Sequence, residues 1–273
     1  MIRVVTDSSS DLSPELAAAH HIEVVPLTIR FGDEEFVDRQ DLSASEFWDR
    51  LAGSEALPNT AAPSVGAFQQ AYERLAANGA EGILAVTISS GLSATHRSAQ
   101  LAAAEAPVPV QVVDSGTASI PLGLTAIAAA DAARLGAELG DVTSAAAGID
   151  ADLLATLDTL EYLQKGGRIG AAQAFFGGLL NVKPLITFSE GAVAAAGRVR
   201  TRRKALIALA DWLQNQEGVA RVGVVHGRAA EIDEVVSQVR EILPDLDPVV
   251  ALAGPVIGTH AGPGVIGIAV TRS

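Results

Sequence analysis

A chain of 273 residues, 49% hydrophobic and 19% charged, has apolar material for one large or two ordinary domains and too much of it for a disordered chain. With 32 acidic against 19 basic residues, a net charge of −13 and no cysteine, it repels nucleic acid over most of its area and can make neither disulfides nor thiolate chemistry. Aromatic residues are only 4%, which predicts a core of Ala, Val, Leu and Ile whose smooth walls suit an alkyl chain better than a nucleobase.

In chain order, Met1 to Asp7 reads as a strand, not as a charged region followed by a long apolar one; no signal peptide is expected, and a cytoplasmic location follows. Ser13-Pro14-Glu15 pairs a capping residue with proline at the first helical position. Ile83 to Val86 is a buried strand, followed by a helix from about Ser93. Val110 to Val113 is another strand, followed by a long Ala-rich helix to about Glu138. The apolar stretch in that helix, Ile120 to Ala130, is interrupted by polar residues, closes at Asp131 and is too short to span a bilayer. Strand then helix, repeated, implies a parallel sheet covered on both faces.

The pattern changes after Asp141. Leu185 to Phe188, a turn at Ser189-Glu190-Gly191 and Ala192 to Ala194 read as a β-hairpin. A helix from about Thr201 to Gln216 follows, then a strand at Val222–Val225, a helix to about Leu243, a strand at Val249–Leu252 and a last strand near Ile266 to Val270. The fold expected is α/β in two domains: an N-terminal parallel-sheet domain over 1–150 and a C-terminal domain with a mixed sheet over 151–273, with the ligand in the crevice between them.

Three polar clusters fall at predicted carboxyl ends of strands, where open α/β sheets bind ligands. They are Thr6 to Ser10, Thr87 to Ser93, and Asp114-Ser115. The middle one sets Ser and Gly between a buried strand and a helix N-terminus, which favours an anion; the alternative is that its serines merely cap the helix. Gly91-Leu92-Ser93-Ala94-Thr95 is one residue short of a nucleophile elbow. A serine hydrolase built on it needs His260 or His226 as base and Asp7 or Asp114 to orient that base.

Gly262-Pro263-Gly264-Val265-Ile266-Gly267 matches G-x-G-x-x-G, but only six residues follow it, so no crossover helix completes a dinucleotide site. A tight backbone approach beside His260 is the better reading. His20-His21 read as surface, and no spacing suggests a metal site. Arg198, Arg200, Arg202, Arg203 and Lys204 form a basic cluster, with Lys165 and Arg168 upstream. Cations in the first turn of a helix oppose its dipole, which points to a bound anion or an acidic partner; a solvated charged face is the alternative.

Taken together, Thr6 to Leu12, Asn59 to Ser64, Ile88 to Thr95, Leu160 to Gly170, Lys183-Pro184, Arg198 to Arg202 and His260 to Gly264 resemble the DegV family over essentially the whole chain. The resemblance implies a two-domain α/β fold with a long-chain fatty acid between the domains and no catalysis by the protein itself. It implies that Thr60 and Ser93, with Ser90 as second choice, hold the carboxylate together with His260. No cofactor or metal is implied. The implied partners are a fatty acid kinase, which phosphorylates the presented acid, and an acyltransferase that receives the acyl phosphate for phospholipid synthesis, with transient membrane contact. Arg168, Arg200 and Arg202 match positions for meeting the phosphate or the kinase. The chain departs from the family pattern at Ala61 and Ala62, which replace commonly polar residues, and at Ala94 and His96, which replace a common Gly and Tyr.

Overall fold

The computed structural model describes residues 1–54, 56–175 and 182–272. The first part of the chain runs β1 (Ile2–Asp7), α1 (Pro14–Ala19), β2 (Ile22–Val25), β3 (Thr28–Phe31), β4 (Glu34–Val37), α2 (Ala44–Gly53), β5 (Asn59–Ala61), α3 (Val65–Ala77), β6 (Gly82–Thr87), α4 (Thr95–Ala103), β7 (Val110–Asp114), α5 (Ile120–Arg134) and α6 (Leu139–Ala147). The rest runs β8 (Asp150–Thr156), α7 (Glu161–Lys165), β9 (Lys183–Ser189), β10 (Ala192–Val199), α8 (Arg202–Gln214), β11 (Val219–His226), α9 (Ile232–Ile242), β12 (Val249–Leu252), α10 (Pro255–Ala261) and β13 (Ile266–Arg272).

Strands β2-β1-β6-β7 form a four-stranded sheet in that order, every pair parallel. Alternation along its strands feeds two cores. Val4, Leu84 and Val86 face α1, α5 and α6, while Val5, Ile83 and Ala85 face Phe68 and Tyr72 of α3 and Ala99 of α4. The parallel sheet covered on both faces is thus present as expected. Strands β10-β9-β8-β13-β11-β12 form a mixed six-stranded sheet in which only β11 and β12 pair in parallel. Helices α8 and α9 cover one of its faces, and the other looks toward α5.

The hairpin turn expected near Glu190 joins Ser189 to Ala192, with φ of 51° at Glu190 and 74° at Gly191, the type I′ pattern whose twist matches the flanking strands. A small antiparallel sheet, β4-β3-β5, was not foreseen. Its hairpin pairs Phe31 with Glu34 across Gly32-Asp33, with φ of 59° at Gly32. The Ala-rich helix ends at Arg134, not near Glu138. Gly136, at φ 87°, stops it, and Glu138 instead stands before α6.

Helix α5 lies between the two large sheets and is buried along most of its length, with Ala128, Asp131 and Ala132 half-buried and Arg134 exposed toward its end. Ile120 and Leu124 pack in the core beneath the six-stranded sheet, while Leu122, Ala126, Ala129 and Ala133 pack against the parallel sheet. Two glycines permit this. A Cβ on Gly123 would stand 2.6 Å from the Ser10 carbonyl oxygen, and one on Gly223 of β11 would stand 2.6 Å from Cγ1 of Ile120. Among the described residues, no helix is long and apolar enough to cross a membrane.

Candidate ligand-binding site

An apolar slot opens between the two large sheets. Its walls include Ile88, Leu92 and Ala118 from the first half of the chain, Leu153, Ile186 and Val225 from the six-stranded sheet, and Val256 and Ile257 of α10. It holds about 760 Å³ of empty space counting its mouth. Its walls are mostly apolar, which suits an apolar guest.

The polar side chains in the lining are Thr60, Ser93, Ser119, Arg168 and His260. Thr60 comes from β5 and His260 from α10, and Thr60 Oγ1 lies 2.9 Å from His260 Nε2. Burial, reinforced by the Arg168 guanidinium, holds the His260 pKa down at about 4, so the ring is neutral at pH 7. Its other nitrogen, Nδ1, is buried without a hydrogen-bond partner. Arg168 follows α7; its Nε donates to the Leu92 carbonyl at 3.1 Å and an Nη to the Gly166 carbonyl at 2.8 Å. It is half-buried and lines the slot. Ser93 Oγ pairs with Thr95 Oγ1 at 2.8 Å.

The structure thus brings together Thr60, Ser93 and His260, and adds Arg168 beside them. Ser90 does not join them: it is exposed, and its amide donates to Asp114 at 3.1 Å. Arg200 is exposed, and Arg202 pairs with Glu231 at 3.2 Å and Asp158 at 3.9 Å. Neither lines the slot. The tight backbone approach expected after His260 is present, since Gly262 and Gly264 both have φ of 75° and the side chains of Tyr162 and Asp158 leave no room for a Cβ. His21 is exposed, whereas His20 is half-buried with Nδ1 3.3 Å from Asp131.

The cluster Thr6 to Ser10 is fully buried and supports the walls instead of meeting a ligand. Asp7 accepts the Ile88 amide at 2.8 Å, and Ser8 Oγ accepts the Leu27 amide at 3.0 Å. Leu27 and Ile88 both line the slot. Burial raises the Asp7 pKa, against the bonds from Ser9 and Ile88. Asp11 plays a similar part. Its carboxylate accepts the Gly254 amide at 2.8 Å and the Ser119 hydroxyl at 2.6 Å, tying the start of α10 to the start of α5. Ser89 joins the halves at another point, its hydroxyl donating to the Gly191 carbonyl at 2.6 Å. Sequence reasoning missed Asp11 and Ser89, although both belong to segments it marked.

A serine-hydrolase triad is not assembled. The Ser93 hydroxyl bonds Thr95, His260 Nε2 bonds Thr60, and no carboxylate orients Nδ1. Asp7 and Asp114 hold backbone amides elsewhere, and His226 is also buried without a partner at Nδ1. Among the described residues, no three His, Asp or Glu side chains converge as metal ligands.

The model of the DegV family matches residues 1–273. A DegV domain-containing protein of Deinococcus radiodurans is 40% identical over 276 residues, covering 98% of this chain and 97% of that protein. A fatty-acid-binding DegV family protein of Thermus thermophilus is 34% identical with a TM-score of 0.85, covering 100% of this chain and 99% of its own. DegV of Bacillus subtilis, described as a fatty acid binding protein, is 29% identical with a TM-score of 0.91 and the same coverage. With its parallel sheet, its mixed sheet and its whole length matched, this chain belongs to the DegV family.

Proposed function

We propose that the protein binds one long-chain fatty acid in the slot, presents it to a fatty acid kinase and carries the resulting acyl phosphate to an acyltransferase for phospholipid synthesis, performing no chemistry itself. The observation that supports this reading is an apolar slot whose lining carries a few polar side chains, Thr60, Ser93, neutral His260 and Arg168 among them, with Thr60 and His260 in contact. Burial of an alkyl tail stabilises by about 0.8 kcal/mol per methylene, so a chain of about sixteen carbons gains roughly 10 kcal/mol before ordering costs. The head group then needs orientation more than affinity, which a few hydroxyls and one guanidinium supply.

In this reading the chain divides near residue 150, with the acid between the halves. Arg168 neutralises the carboxylate and then the phosphate that replaces it, while enclosure keeps water from the acyl phosphate. Exposed Arg200 is offered to the kinase; Arg202 reaches it only by exchanging Glu231 and Asp158. The kinase places the protein in the cytoplasm, and loading or delivery needs only brief membrane contact. Mass spectrometry of lipid extracted from natively purified protein tests the reading. One acyl chain per protein is expected. Protein that carries none and takes up neither oleate nor palmitate would end it.

A further inference from the structure

His260 touches the chain in two ways that together fix which of its nitrogens carries the proton. Nε2 faces the Thr60 hydroxyl at 2.9 Å, and Nδ1 is buried with no partner. Nδ1 is packed directly against Gly166, which leaves no space for a Cβ there: a built Cβ would stand well inside van der Waals contact distance of Nδ1. Gly166 has an ordinary negative φ of −74°, so the glycine is required by this contact and not by backbone conformation. A buried N–H without an acceptor is among the rarest features of folded proteins, whereas a bare ring nitrogen forfeits less. Desolvation and the Arg168 charge also oppose the doubly protonated ring.

We infer that Gly166 holds His260 as the Nε2–H tautomer, so that His260 donates to Thr60 and the Thr60 hydroxyl proton is turned into the slot. Thr60 and Arg168 then both present donors to the slot, beside the Ser93 hydroxyl that pairs with Thr95, and favour a head group that accepts: an ionised carboxylate or phosphate, in preference to a neutral amide of the same chain. In the opposite tautomer Thr60 would donate to the ring and present lone pairs, and the site would favour an un-ionised acid. Gly166 is in this scheme a positioning residue that acts through His260. The head-group selection rests on the fatty-acid reading given above; the tautomer does not.

Two measurements test it. The first is the two-bond proton–nitrogen spectrum of 15N-histidine-labelled protein at pH 7, with His260 assigned by loss of its signals in His260→Gln. Protonated Nε2 and bare Nδ1 are expected; a protonated Nδ1 or an imidazolium would overturn the inference. The second is a double-mutant cycle on oleate affinity. Gly166→Ala and Thr60→Val should each weaken oleate about tenfold or more, and Gly166→Ala should add nothing in the Thr60→Val background, because both changes remove one relay. Additive losses would overturn it, as would equal wild-type affinity for oleate and oleamide. Should oleate fail to bind while the Nε2–H signal is present, the fatty-acid reading falls and the tautomer stands; oleate binding with a protonated Nδ1 sinks this inference alone.

Discussion

The Asp11 carboxylate accepts the amide of Gly254, 243 positions away in the chain, at 2.8 Å, and the Ser119 hydroxyl at 2.6 Å. One buried side chain therefore joins the turn after β1, the start of α5 and the start of the helix that carries His260. Asp11→Ala leaves an amide and a hydroxyl unpaired in the interior, each costing about 1–3 kcal/mol. Urea denaturation should show a loss of roughly 3 kcal/mol.

The same carboxyl gives a pH signature. Burial raises its pKa from 3.8 to about 7, against the bonds from Ser119 and Gly254 and the charge of Arg39, with Asp38 adding to the rise. The folded protein thus holds a proton that the unfolded chain releases between about pH 4 and 7. The Asp11 contribution is full below the unfolded pKa and is lost as pH rises through about 7. Relative to Asp11→Asn, which is neutral throughout, wild-type stability should fall across that window and level off above it, as read from urea midpoints at pH 4.5 and 7.5.

Arg168 is the cation that lines the slot. Replacing it with Gln removes a charge-assisted bond worth about 1.5–3 kcal/mol, so oleate affinity should drop by about 10–100-fold in calorimetry. The His260 pKa should rise in the same variant. It should stay below 6.5, because burial, the larger cause of its depression, is untouched.

Gly223 marks where β11 meets α5. In Gly223→Ala the new methyl stands 2.6 Å from Ile120 Cγ1 and 3.4 Å from Leu124 Cδ1. Overpacking of this kind costs about 1–3 kcal/mol, and Tm should fall by roughly 2–4 °C per kcal/mol.

Ser93 bonds Thr95 and not His260. An activated phosphonate should therefore leave Ser93 unlabelled, and Ser93→Ala should weaken oleate binding without abolishing any esterase activity. Stoichiometric labelling at Ser93 would show that a triad forms once ligand is bound.

Much of this architecture was legible in the residues. The parallel sheet follows from buried β-branched runs such as Ile83 to Val86, the hairpin from Glu190-Gly191, and the start of α8 from the change of pattern at Thr201, whose side chain accepts the Lys204 amide. Ser93 and His260 stand out from a polar strand-end cluster and a glycine-rich loop, whereas Thr60 is legible through the family pattern alone, and none of the three through periodicity. The small sheet that carries Thr60 was missed because its strands are four, four and three residues long, too short for alternation to register, although Gly32-Asp33 was a usable hairpin signal. In sequence Thr6 to Ser10 reads as a ligand cluster, because polar residues at a strand end look alike whether they face a guest or a backbone amide. Only burial separates the two. Arg168 belonged to a basic group whose members sequence alone could not rank; folding sends it to the slot and pairs Arg202 with acids.

Over its first two turns helix α5 has no outward side, since its two flanks complete two different interiors. The halves on either side of residue 150 are consequently not interchangeable modules. Severed there, the first half would keep the helix but bare Ile120 and Leu124 to water, and the second would lose the floor beneath β11. The walls of the slot are drawn from the same buried cluster that joins the halves, so parting them means loosening oil that also keeps the molecule folded.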